Sequence, residues 1–325
     1  MVISRTPFRM SFFGGGTDYR EFYETHGGSV LSATFDKFCF VTVRDLPPFF
    51  EYKNQFTYSK IERFNEPDEV SHPLVREAVR YLKEDRIQIS YDADLPARSG
   101  IGSSSSFAVG LLNSIHALRG KASNPYSLAK EAILLERVKC AESGGVQDQI
   151  AAAYGGLNRI DFDASGFRVR PLPIEAERLH SLNGKLLLFF SGLSRVSSDI
   201  AAEQISNMQN NIATLCAMKA VTDEAEKILL SAVSLDAFGE LFDYTWQLKR
   251  RLSKHISNEE IENMYALATE NGALGGKLLG AGGGGFMLLY VPEEKQKRVK
   301  KALHAYKYVP FSFEQEGSRI IYNKE

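Results

Sequence analysis

Hydrophobic positions along this chain switch repeatedly between a period of two and a period near 3.6, and the switches divide it into strands and helices. Val2 to Phe13 reads as a strand that stops at Gly14, Gly15 and Gly16, followed by Thr17, Asp18 and Tyr19. Ser29 to Arg44, rich in Val, Phe and Thr with partial alternation, predicts a long strand or hairpin ended by Pro47 and Pro48. A short strand is expected near Gln55 to Tyr58. Pro73 to Lys83 sets Leu74, Val75, Ala78, Val79 and Leu82 on one helical face, and Ile87, Ile89 and Tyr91 alternate with polar residues as a strand does. That strand leads into Asp94 to Phe107, DLPARSGIGSSSSF, after which Phe107, Val109, Leu111, Leu112, Ile115 and Leu118 mark a buried helical face.

Pro125 opens a further helix, with Ala129, Ala132, Ile133, Leu135 and Val138 on its apolar side. Alternating segments follow at Leu157 to Phe162 and Phe167 to Leu172. The polar stretch Pro173 to Gly184 reads as a linker, so the chain is divided into domains at 1–178 and 179–325. A strand at Leu186 to Phe190 opens the second half, and Ile200 to Glu270 is mainly helical, with Ile228, Leu229, Val233, Phe238, Leu241 and Trp246 in its expected core. GGKLLGAGGGG, from Gly275 to Gly285, runs into a strand at Phe286 to Val291. A helix around Glu293 to Tyr306 and strands near Val309 to Phe313 and Arg319 to Tyr322 complete the pattern.

Length and charge narrow the classes. At 325 residues two domains are the first expectation. The 39 basic and 40 acidic side chains nearly cancel, which gives no electrostatic footprint for a nucleic-acid partner. No stretch approaches membrane-spanning length, and the N-terminus lacks the apolar core of a signal peptide. Cys39, Cys140 and Cys216 are isolated, so neither a disulfide framework nor a zinc site is indicated, and a reducing cytoplasm is expected.

The chemistry gathers at the glycine-rich stretches. A helix beginning at the serine run directs unsatisfied backbone amides into the loop before it, and Gly100 and Gly102 leave room for a bulky anion such as a phosphate. A capped helix after a flexible turn is the alternative. Asp18, just beyond three glycines, suits either sugar hydroxyls or a turn. Glu136 reads as a metal ligand or a solvated helix charge, and Asp148 lies between two glutamines against small apolar residues, where a carboxylate is constrained or functional. Arg195, among hydroxyls near a helix start, could hold a phosphate or sit on a capped surface helix, and the surface reading is preferred. Gly280, Gly282 and Gly285 satisfy GxGxxG, but a dinucleotide fingerprint needs a strand before it and a helix after it, and here the strand comes after.

Three glycine-rich stretches and two spaced carboxylates in this order resemble the superfamily of galactokinase, homoserine kinase, mevalonate kinase and phosphomevalonate kinase. The motifs are PFRMSFFGGGTDY from Pro7, PARSGIGSSSS from Pro96 and KLLGAGGGG from Lys277. GGGTDY, GGVQDQ, HPLVREA and GLSRVSS together look most like the bacterial D-glycero-D-manno-heptose 7-phosphate kinases. The resemblance implies an α+β fold, with an N-terminal domain like domain 2 of ribosomal protein S5 and a ferredoxin-like C-terminal domain. It also implies a cytoplasmic sugar kinase that uses ATP and Mg2+ on a small sugar phosphate, at the anomeric hydroxyl, with a homodimer compatible. Carried onto this chain, Gly100, Ile101, Gly102, Ser103, Ser104 and Ser105 cradle the triphosphate, and Glu136 with Ser103 or Ser104 holds the metal. Asp148 is the catalytic base and Arg9 its partner. Asp18, with Gly16 and Thr17 beside it, binds the sugar, and Gly282 and Gly283 bring the second domain's backbone to the substrate. Arg195, Arg98 and Lys277 are the cations available for a sugar 7-phosphate. Two rivals are a fucokinase or galactokinase-like enzyme acting on an unphosphorylated sugar, and a catalytically silent ATP- or sugar-binding regulator.

Overall fold

The computed structural model describes residues 1–192 and 197–324. Val2–Phe13 (β1) and the 18-residue Gly28–Asp45 (β2) pair antiparallel along most of their lengths and form the spine of the larger sheet. Asn54–Thr57 (β3), Ile61–Phe64 (β4) and Ile87–Ala93 (β5) extend it in the order β1, β2, β5, β3, β4, while Leu157–Asp163 (β6) and its hairpin partner Gly166–Pro171 (β7) attach to the start of β2. A strand as long as β2 can do this because different stretches of it serve different partners: Gly28 to Ala33 hold β6, and Cys39 to Asp45 hold β5.

The second sheet is four-stranded and antiparallel. It consists of Leu186–Phe190 (β8), Gly275–Leu278 (β9), Phe286–Tyr290 (β10) and Lys307–Val309 (β11), in the order β11, β8, β10, β9. The chain then returns to the first sheet, where Phe313–Glu314 (β12) pairs with β2 and Arg319–Asn323 (β13) with β1. A mostly antiparallel larger sheet, whose one parallel pair is β3 with β5, and an antiparallel smaller sheet, both packed with helices, make this the α+β architecture that the sequence motifs imply.

What locks the two sheets together is β1. From Thr6 onward it is buried on both faces. One face receives the helix Ser103–Leu118, whose Gly110 allows close approach: Ser4 Oγ donates to the Gly110 carbonyl at 2.9 Å, and a Cβ there would stand 2.8 Å from Thr6 Oγ1. The end of the strand enters the other core, where Phe12 and Phe13 meet Phe238 edge-on at 5.7 and 4.9 Å between ring centres. Edge-to-face pairs of this kind contribute about 0.5–1.5 kcal/mol each beyond the area they bury. The motif residues of β1 are therefore fixed against both halves of the molecule.

The structure departs from the sequence pattern in three respects. Pro173 to Gly184 is not a plain linker, because Ala176–Gly184 is a helix. Its composition is polar, yet Leu182 is fully buried, and Arg178 is spent on the carbonyls of Ile228, Leu229 and Val233. Val138 and Val233, both expected on buried faces, are exposed. Finally, Gly275–Leu278 is a strand, so the third glycine stretch is flanked by strands on both sides. Glycine is required there by packing, since a Cβ on Gly275 would lie 2.3 Å from the Gly239 carbonyl oxygen of the helix Asp236–Arg251.

Candidate active site

Strand β1 and the short helix Gln147–Tyr154 deliver the central ion pair. Arg9 projects from β1 and grips Asp148, in the first turn of that helix, with both prongs: Nε to Oδ1 at 2.8 Å and Nη2 to Oδ2 at 2.6 Å. Its third nitrogen, Nη1, donates to the Gly100 carbonyl at 2.6 Å, and its backbone amide donates to the Ile101 carbonyl. One arginine thus ties Asp148 to the glycine loop. The arginine side chain is 4% exposed and the aspartate side chain 21%, so the pair is sheltered on the arginine side and more open on the aspartate side. Bidentate pairing of this kind fixes the orientation of a carboxylate as well as its position.

Around the pair stands the loop itself. Gly100 and Gly102 both have positive φ, at 81° and 74°, conformations that side chains disfavour, and the helix begins at Ser103. A Cβ on Gly102 would press on Arg9 Cγ at 3.2 Å, and one on Gly100 would lie 2.4 Å from the Leu279 carbonyl oxygen. The third glycine stretch therefore leans on the second: Gly280 faces Gly100, and Phe286 N donates to the Ser99 carbonyl. Gly282 and Gly283 pack on Ile256, with Gly283 N donating to its carbonyl at 2.8 Å.

Glu136 lies on a single wide turn of π-helix, Leu134–Lys139, which continues the helix Pro125–Ile133. Such turns re-aim one side chain out of the regular helical register. Here the carboxylate is 1% exposed and accepts from Ser104 Oγ at 2.8 Å, Ser105 Oγ at 2.7 Å and Gln149 Nε2. Ser103 makes no hydrogen bond to it among the described residues. All three donors are neutral, and no lysine or arginine pairs with Glu136 among the described residues. A buried carboxylate without a cation is costly. That arrangement fits a divalent ion shared with phosphate oxygens, since Mg2+ uses one or two carboxylates rather than a protein cage, and the described residues contain no cluster of three or more His, Cys, Asp or Glu side chains able to form one.

Asp18 is buried beside this centre. Its Oδ1 accepts from Gly16 N at 2.9 Å and its Oδ2 from Gln147 N at 3.2 Å, so Asp18 and Asp148 share one helix start. Burial pushes its carboxyl above the usual range, Asp148 adds to the shift, and the two amides oppose it. Thr17 is structural in its contacts, donating to the carbonyls of Gly14 and Ser29. Arg98 is exposed, Lys277 is buried with Nζ donating to the Phe12 carbonyl at 3.0 Å, and Arg195 falls outside the described residues.

The sequence reading missed Lys249. This residue is 7% exposed and donates to the carbonyls of Leu278 and Gly280 at 2.8 and 2.5 Å, bracing the third glycine stretch. Burial, with Arg9 nearby, brings its ammonium down to about 7, and Lys277 moves the same way for the same first reason. Its signal was its spacing: Phe242, Trp246 and Lys249 fall on one face of the helix Asp236–Arg251.

Residues 73–156 match the family described as GHMP kinases N terminal domain, and residues 229–309 match GHMP kinases C terminal. The chain is also 30% identical to D-glycero-alpha-D-manno-heptose 7-phosphate kinase of Campylobacter jejuni, over 97% of both chains. It belongs to the GHMP kinase family. Kinases of this family take their phosphoryl group from ATP, and this chain is a kinase. A bifunctional fucokinase/GDP-fucose pyrophosphorylase of Arabidopsis thaliana is 26% identical over 73% of this chain and 24% of its own length. In fold, the crystal structure of a D-glycero-D-manno-heptose 1-phosphate kinase from Bacteroides thetaiotaomicron superposes with a TM-score of 0.81, covering both chains completely at 22% identity. No helix among the described residues is long and apolar enough to cross a membrane.

Proposed function

We propose that this kinase transfers the γ-phosphoryl group of ATP to the anomeric C1 hydroxyl of D-glycero-D-manno-heptose 7-phosphate, giving the 1,7-bisphosphate on a cytoplasmic route to nucleotide-activated heptose. The observation that carries the reading is the Arg9 grip on Asp148 at the mouth of the glycine loop, with buried Asp18 joined to the same helix start. In the transfer the sugar oxygen forms a bond to the γ-phosphorus, the bond to the ADP oxygen breaks, and the hydroxyl proton passes to the Asp148 carboxylate. An aspartate is a weak base toward a hydroxyl, but phosphoryl transfer has a loose transition state in which positioning and charge neutralisation dominate. Arg9 supplies both: it orients Asp148 and keeps a positive charge next to the moving group.

Gly100 to Ser105 cradle the triphosphate with backbone amides and the helix start, a role that needs no lysine. Glu136 and Ser104 would hold Mg2+, which when bound neutralises the phosphate oxygens. Asp18 orients the sugar through its hydroxyls. The heptose assignment draws on the similarity to the Campylobacter jejuni enzyme along nearly the whole of both chains. A kinase of an unphosphorylated sugar, as the fucokinase likeness suggests, is the second reading. An ADP-release assay in which heptose 7-phosphate competes with free fucose, galactose and mannose separates them: the heptose phosphate should have the highest kcat/KM, and preference for a free hexose would replace this assignment with the second.

A further inference from the structure

The alternation of β1 that presents Arg9 to the site presents Ser11, two residues on, to the same face. Ser11 and Gln147 are 5% and 8% exposed, and Ser11 Oγ and Gln147 Oε1 are buried with no hydrogen-bond partner. They face one spot. A Cβ placed on Gly15 would stand 3.4 Å from Ser11 Oγ and 3.6 Å from Gln147 Nε2, so the missing side chain of Gly15 leaves the space between them open.

That space adjoins the reacting centre. Gln147 directly precedes Asp148, and its backbone amide holds Asp18. On the other side of Asp148, Gln149 donates to Glu136. Helical residues two apart point about 200° away from each other, so the two glutamines flanking Asp148 serve opposite sides, Gln149 toward Glu136 and Gln147 toward Gly15. Buried polar atoms are almost always partnered in native proteins, and the unpartnered Ser11 hydroxyl, with the Gln147 amide nitrogen across the same space and the amide oxygen of that side chain also unpartnered, points to a polar ligand beside the candidate base. The surroundings define that ligand. The carboxylates of Asp18 and Asp148 nearby disfavour a phosphate, and the Ser11 hydroxyl with the Gln147 amide suits a neutral hydroxyl that can both donate and accept.

We infer that Ser11 and Gln147 form a specificity subsite that hydrogen-bonds the substrate hydroxyl vicinal to the attacking one, which for a C1 kinase is the 2-hydroxyl. This rests on the sugar-kinase reading above. A site built to bond a hydroxyl discriminates strongly against an analogue that lacks it, because its own polar groups are then left unpaired.

The test compares heptose 7-phosphate with its 2-deoxy analogue in the wild-type protein, Gln147→Met and Ser11→Ala. The wild type should favour the parent sugar by at least roughly 10²-fold in kcat/KM. Each variant should lose at least about tenfold toward the parent and most of the discrimination, with the KM for ATP unchanged. Ser11→Ala should not lower the melting temperature, since it removes a hydroxyl with no partner to lose. No turnover of the parent by the wild type overturns the sugar-phosphate reading and this inference together. Equal wild-type turnover of both sugars overturns this inference alone, as does a Ser11→Ala protein that keeps the discrimination. Should Gln147→Met fail to fold, Ser11→Ala decides, being one oxygen smaller and otherwise conservative.

Discussion

Lys249→Met removes an ammonium from the interior and so gives a pH-dependent change in stability whose size follows from the structure. Burial takes this group from its ordinary 10.5 to about 7 in the folded protein. At about 1.36 kcal/mol per pH unit, the difference is on the order of 5 kcal/mol. Below pH 7 the lysine is protonated in both states and the folded state carries the whole burial cost. Between pH 7 and 10.5 the unfolded chain holds a proton that the folded one has released, so stability rises with pH; above that range the cost has gone. The ammonium's bonds to the Leu278 and Gly280 carbonyls favour the charged form, which makes 5 kcal/mol a ceiling. Urea unfolding of wild type and Lys249→Met at pH 7, 8 and 9 should show the wild type gaining about 2 kcal/mol relative to the variant across that span. A difference that stays flat, or falls, would refute the reasoning.

Other substitutions test the site directly. Asp148→Asn should keep nucleotide binding, measured by calorimetry, while losing about 10² to 10⁴-fold in turnover, the usual contribution of one general base; near-normal turnover removes Asp148 from that role. Glu136→Gln should leave the apoprotein at least as stable in thermal melts, because it discharges a buried carboxylate with only neutral donors. It should also raise the Mg2+ concentration needed for activity by more than the roughly 10 to 100-fold lost with an outer-shell partner, and an unchanged Mg2+ titration would contradict the metal assignment. Gly145→Ala places a Cβ 1.8 Å from Asp18 Oδ2, so Asp18 must move: the sugar KM should rise and stability should fall by about 1–3 kcal/mol, whereas an unaltered sugar KM would separate Asp18 from substrate binding.

The sequence was most informative where a local rule decides the outcome. Alternation located β1 and β2, and the serine run marked a helix start at Ser103. Contacts that depend on residues far apart were not legible. Nothing in GIGSSSS says that Gly100 must be bare because Leu279 and Gly280 press on it from the other half of the chain. Glu136 was recognisable from the motif resemblance, but its serine partners are Ser104 and Ser105, since which hydroxyls face it depends on the helical phase after Gly102. Lys249 was hidden in KRR, which reads as a solvated helix end until the apolar face of that helix is followed through it. Polarity misled at Pro173 to Gly184, where one buried leucine and one carbonyl-binding arginine suffice to dock a helix.

The most direct test of the central claim is the structure of the product. Heptose 7-phosphate incubated with the protein, ATP and Mg2+ should give a new phosphate resonance coupled to the anomeric proton and carbon in ³¹P and ¹³C NMR spectra, with ADP formed in equal amount. Phosphate on any other hydroxyl, or ADP released without phosphate on the sugar, would contradict it.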